Sequence, residues 1–178
     1  MFAIVLAALD RSGSVLPILC AMAVHELAHI VTMLACGGQV RRLTLRFADL
    51  QIAASGLGYR QELLSALAGP LVNLICGAAF CMQRPSFAAY SLMLGIYNLL
   101  PVWPLDGGRV LRCALLARLP ITQAEHISEI VSFAACAVLL LIGVFLTFFR
   151  KSGLWPLGTA AYLTVRLLML ARRTDAVQ

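Results

Sequence analysis

Ser14 to Cys36, SVLPILCAMAVHELAHIVTMLAC, is an apolar run long enough to cross a bilayer, and it carries three ionisable side chains, His25, Glu26 and His29. Few folds can hide such a run from water while keeping those three groups out of lipid. Ionisable residues at membrane depth are costly, usually face a bundle interior or a wet cavity, and mark function. The flanks PILCAMAV and IVTMLAC lack the polar face of a soluble amphipathic helix. The run therefore reads as a site inside a membrane bundle, in preference to polar side chains that only hydrogen-bond neighbouring helices.

Four residues advance an α-helix by about 400° and roughly 6 Å, so His25 and His29 stand one turn apart on one face and can hold a single ion. Glu26 points beside them, toward the open side of that ion. In this HExxH pattern two imidazoles bind zinc and the glutamate takes a proton from the attacking water. A hydrolytic zinc site uses three protein ligands and keeps one position open, so a third ligand must come from elsewhere in the chain.

Composition extends this reading to the whole chain. Hydrophobic residues make up 61% and charged residues 12%, against about a quarter charged in soluble domains. In 178 residues there is room for about five or six transmembrane helices at roughly 20 residues each, and almost none for a separate soluble domain. A single intramembrane domain over 1–178 is expected, with its core motifs in 14–120. The net charge of +6 does not point to nucleic acid, because the basic residues are scattered between apolar runs and form no stripe. The six cysteines fall mostly in apolar segments without a CxxC pair and read as packing residues.

Phe2 to Leu9 is apolar but too short to span, and it reads as a shortened first helix. After the HELAH helix, Gly37 and Gly38 are placed to cap it. In Val40 to Ala54, Leu43, Leu45 and Phe47 alternate with Thr44 and Arg46, which predicts a strand or short β-hairpin. It is either an ordinary loop hairpin or an edge onto which an extended substrate adds as another strand. A second span is expected from Arg60 to about Met82, where Gly69, Pro70 and Asn73 of AGPLVN allow close helix packing. Asn73 reads as a hydrogen bond between helices, not as a catalyst.

The segment from Phe87 ends in NLLPVWPLDGGRVL. Pro101 and Pro104 remove helical hydrogen bonds and Gly107 and Gly108 permit turns, so a broken helix is expected around Asp106. His126 and the remaining carboxylates lie near segment ends or in polar stretches, which makes Asp106 the best-placed third metal ligand. An Asp before Gly-Gly is equally a common turn former, and the residues alone leave both readings open. Ile127 to Phe149 and Leu154 to Ala171 are expected to complete the bundle. Arg166 is near enough to a span end to extend its head to the interface, and His126 is expected in a solvated loop.

HELAH, AGPLVN and NLLPVWPLDGG, in this order on three core helices, resemble the site-2 protease family of intramembrane zinc metalloproteases, peptidase M50. Within it, VRRLTLRF, NLLPVWPLDGGRVL and LPITQAEH are most similar to the stage IV sporulation protein FB branch. The resemblance runs from Leu16 to His126. It implies one zinc per chain on His25, His29 and Asp106, with Glu26 as catalytic base, and suggests that Asn98 helps place the substrate backbone. Two departures from relatives are expected: an abbreviated first helix, and no regulatory cytoplasmic domain of the kind several members carry after the last span. The loops are also too short for a PDZ insertion, so substrate selection is expected to rest on the membrane core or on regulatory membrane partners.

Counted alternately between spans, Arg41, Arg42, Arg46, Arg60, Arg109, Arg112, Arg118, Arg172 and Arg173 fall on one side and Arg11, Arg84, Arg150 and Lys151 on the other. The richer side is taken as cytoplasmic. The expectation is an all-α, multi-pass protein of the bacterial plasma membrane, its site open to the cytoplasm. It would cleave a transmembrane or membrane-associated protein, such as a membrane-tethered transcription-factor precursor. The alternative is a non-proteolytic scaffold or metal-ion transporter with a vestigial HExxH site, although a transporter should show further ligands along a path.

Overall fold

Val15–Ala35 forms one uninterrupted helix, α1, in which Ala21, His25, His29 and Met33 recur at intervals of four on the buried face. The opposite face is apolar and exposed, with Leu27 at 58% and Val31 at 55%. Histidines inside and aliphatic groups outside invert the pattern of a soluble helix and suit a lipid surroundings. In the computed structural model the described residues are 13–46, 49–55, 58–148 and 155–175; Phe2 to Leu9 lies outside them. The chain divides into two compact units, Met1–Leu99 and Leu100–Gln178.

In the first unit, α1 stops because Gly37 adopts a φ of 80°, a conformation open to glycine at little cost. The Gly38 N–H donates to the Met33 carbonyl at 3.0 Å and the Gly37 N–H to the Leu34 carbonyl at 2.9 Å. This pair of bonds is the Schellman closure of a helix end. Next come β1, Gln39–Arg46, and β2, Asp49–Ser55, paired antiparallel from Gln39 opposite Ser55 to Arg46 opposite Asp49, with an irregularity between Val40 and Arg42. Helix α2, Tyr59–Ala79, is tied at its start by Gln61. That side chain accepts from the Gly58 N–H at 2.9 Å and donates to the Cys36 carbonyl at 3.0 Å.

Helix α3, Pro85–Asn98, begins with proline at its first position, where the missing N–H is not needed. Small residues bring α2 and α3 together. A Cβ on Gly95 would lie 3.0 Å from the Pro70 carbonyl oxygen, and one on Gly77 would lie 3.2 Å from the Ala88 carbonyl oxygen while colliding with Leu92. This is close backbone packing of the kind membrane helices use in place of a hydrophobic drive.

In the second unit, residues 100–105 are non-helical and α4, Asp106–Leu116, starts at Asp106. The expected break is real, but Gly107 and Gly108 lie inside the new helix and make no turn. Helix α5, Ile121–Phe148, packs on α6, Trp155–Asp175. Its start precedes the expected Ile127, so His126 is an exposed helical residue and not a loop residue. The polar turn ITQAEH stays helical, with Arg112 bonding Glu125 at 2.9 Å and lying 5.9 Å from the Trp103 ring centre.

Among the described residues, Val15–Ala35, Tyr59–Ala79 and Ile121–Phe148 are long and apolar enough to cross a membrane, and Leu157–Met169 is a shorter apolar stretch. Three qualifying spans are fewer than the five or six expected. The shortfall follows from α3, which is only 14 residues long, and from α6, whose apolar part is interrupted by Arg166 and followed by Arg172 and Arg173.

Candidate metal centre

The imidazoles of α1 are positioned from α2. His29 Nδ1 lies 2.6 Å from the Ser65 carbonyl oxygen, and the Ser65 hydroxyl returns a bond to the His29 carbonyl at 3.2 Å. A carbonyl only accepts, so His29 Nδ1 carries a proton, and in a neutral ring the lone pair is then on Nε2, the atom that faces His25. Pro70, inside α2, donates nothing to the Ala66 carbonyl and crowds it. That loosens the backbone ladder beside the carbonyl His29 uses.

His25 Nδ1 lies 3.2 Å from the Asn73 side-chain amide. The two Nε2 atoms approach to 3.1 Å, with the rings edge to face at 85°. Both histidines are buried, at 4% and 6% exposure, and Asn73 is fully so. Gly69 makes room for them: a Cβ there would lie 2.6 Å from His29 Cε1 and 2.9 Å from His25 Cε1. Two buried imidazoles with their Nε2 atoms together and their Nδ1 atoms engaged by carbonyl or amide groups fit zinc, whose histidine ligands are oriented in this way. Glu26, the next residue after His25, is half-buried on α1.

Asp106, the first residue of α4, is 8% exposed. A carboxylate in that position is favoured by the N-terminal end of the helix dipole, and Arg109 one turn on reaches it at 3.5 Å. The preceding loop is set by Ser132 of α5, which accepts from the Trp103 N–H at 3.1 Å and donates to the Ser128 carbonyl at 2.8 Å. Gly108 packs on that loop, since a Cβ there would lie 2.6 Å from the Trp103 nitrogen. Asn98, at the end of α3, donates to the Leu94 carbonyl at 3.1 Å.

The structure thus brings His25 and His29 together on one helix and places Asp106 at the head of another. Ser65 and Ser132 escaped the reading of the sequence, whereas Gly69 and Asn73 entered it, as close packing and as an interhelical hydrogen bond, without their link to the histidines. Their only sequence signal is a small or polar residue within an apolar run.

A buried HExxH pair on a bilayer-length helix defines a membrane-embedded metal-binding bundle, and the comparisons with known proteins narrow the class. Residues 84–142 match Peptidase family M50. A zinc metalloprotease of Methanocaldococcus jannaschii is 26% identical over 133 residues, covering 67% of this chain and 39% of that protein. Stage IV sporulation protein FB of Bacillus subtilis is 28% identical over 138 residues, covering 70% of this chain and 47% of that protein. The chain therefore spans less than half the length of these relatives. The solved structure of a site-2 protease from M. jannaschii shares the fold, with a TM-score of 0.68 at 20% identity over 94% of this chain and 83% of that one. The chain is thus similar to Peptidase family M50 over residues 84–142 and to curated zinc metalloproteases over about two thirds of its length. Its three helices of bilayer length, together with this likeness, make it an integral membrane protein.

Proposed function

We propose that the chain is an intramembrane zinc endopeptidase with one zinc per chain held by His25, His29 and Asp106, and with Glu26 as general base. The observation that carries this reading is the meeting of two buried Nε2 atoms on a bilayer-length helix, with a carboxylate on the adjoining residue. Asp106 is supported as third ligand by its burial in an otherwise apolar protein and by the three-ligand habit of hydrolytic zinc. When bound, zinc supplies Lewis acidity for the scissile carbonyl and for water.

The remaining chemistry belongs to the side chains. Glu26 takes the proton of the attacking water and returns it to the leaving amine nitrogen. Asn98, at the end of α3, holds the substrate backbone. The strand pair β1–β2 offers an edge to which an extended substrate can add. The substrate is a transmembrane or membrane-associated protein, a membrane-tethered transcription-factor precursor being the class suggested by likeness to the sporulation relative. The chain is read as a single intramembrane domain over 1–178, with α3 and α6 counted among its membrane helices. The arginine-rich side, including Arg41 and Arg42, faces the cytoplasm of a bacterial plasma membrane.

Glu26→Gln tests the reading, because it keeps size and hydrogen bonding but removes the proton acceptor. Zinc content should stay near one per chain while cleavage of a co-expressed membrane-tethered precursor falls about 10²- to 10⁴-fold. Undiminished cleavage removes Glu26 from the mechanism. No cleavage by either form, with an unchanged cellular phenotype, favours a scaffold.

A further inference from the structure

We infer that Asn73 is a positioning residue that sets the tautomer of His25, presenting its side-chain oxygen to a protonated Nδ1 so that the His25 Nε2 lone pair is free for the metal. The inference rests on the zinc reading above and assigns a role to a residue outside the HExxH motif. As placed, the Asn73 nitrogen is the atom beside His25 Nδ1, and its Oδ1 is buried with no hydrogen-bond partner. Oxygen and nitrogen of an amide have nearly the same shape, so which of them faces the ring is decided by the bonding around it.

The two orientations differ in consequence. With the nitrogen donating, His25 Nδ1 is a lone pair and its proton sits on Nε2, aimed at His29 Nε2 3.1 Å away. His29 is already fixed with its proton on Nδ1 by the Ser65 carbonyl, so that arrangement closes a histidine–histidine hydrogen bond and blocks the His25 lone pair. Turned by half a revolution, the amide oxygen accepts from His25 Nδ1–H. Both rings then donate outward, His29 to a backbone carbonyl and His25 to an amide carbonyl, and both Nε2 lone pairs point at the same ion. Asn73 is 0% exposed, so bulk solvent does not reach the contact to take over either role. A hydrogen bond of this kind fixes ring orientation and raises ligand basicity, and its loss commonly lowers metal affinity about 10- to 100-fold.

The test uses the full chain in detergent, with zinc affinity measured by chelator competition. Asn73→Leu, similar in volume but without an acceptor, should bind zinc about 10- to 100-fold more weakly, and Asn73→Asp, which keeps an acceptor oxygen, should bind within a few-fold of the parent. Equal affinity for parent and Asn73→Leu overturns the inference and leaves the zinc reading intact. An Asn73→Asp variant as weak as Asn73→Leu also overturns it, since an acceptor would then not be what matters. Ring nitrogen-15 spectra of the zinc-loaded parent provide a readout independent of any variant's folding: His25 must show a protonated Nδ1. A deprotonated Nδ1 there refutes the role of Asn73, whereas a parent that binds no zinc defeats the underlying reading itself.

Discussion

The His25–His29 region and the Asp106 region both place a buried ionisable group, by different means. The histidines sit mid-helix and are steered from the neighbouring helix α2 by the Ser65 carbonyl, the Asn73 amide and the space at Gly69. Asp106 sits at a helix start and is steered by the loop before it, which Ser132 and Gly108 hold in place. The first arrangement depends on an interhelical approach too close for any side chain. The second depends on satisfying a backbone N–H that the two prolines' break leaves without a helical partner. Damage to either should therefore have a different signature.

The largest effect belongs to the proposed ligands. His25→Ala and Asp106→Ala should each abolish stoichiometric zinc, a greater loss than the roughly 10- to 100-fold expected for an outer hydrogen-bond partner. Full zinc in Asp106→Ala beside empty His25→Ala would show the third ligand misassigned. Gly69→Ala comes next. Overpacking between the rings and α2 should lower stability by about 1–3 kcal/mol and also lower zinc content, measured by thermal unfolding and metal analysis on the same preparation. A variant with normal zinc would mean that α1 and α2 can separate without moving the imidazoles. Ser132→Ala is expected to be mildest for the metal. It leaves the Trp103 N–H without its acceptor, worth about 1–3 kcal/mol of stability, with zinc retained. Loss of zinc as complete as in Asp106→Ala would make loop and ligand one cooperative element.

What was legible in the sequence was what one helix or one break determines. The His25–His29 face follows from helical periodicity, the Gly37–Gly38 cap from glycine chemistry, and the interruption before Asp106 from Pro101 and Pro104. What escaped was set between segments. Gly108 was read as a turn residue, but it is helical and small because the Trp103 backbone lies against it. The helical turn around His126 was missed because its polarity suggested a loop, whereas Arg112 on α4 supports it through Glu125. The contact of Asn73 with His25 depends on how α1 and α2 register, which no periodicity within either helix encodes.

Gln61 leaves one more consequence. By bonding both the Gly58 N–H and the Cys36 carbonyl, one side chain clasps the place where the chain leaves α1 to the place where it enters α2. The strand pair β1–β2 lies between those two places, so the clasp closes the base of that excursion. Lengthening such an excursion adds only about 0.6 kcal/mol of closure entropy per doubling. The strand pair beyond the Gly37–Gly38 cap is therefore the part whose length can change at small entropic cost while the helix ends stay where they are. A graft of foreign sequence in place of the strand pair should leave the histidines undisturbed, with an unchanged zinc content as the check.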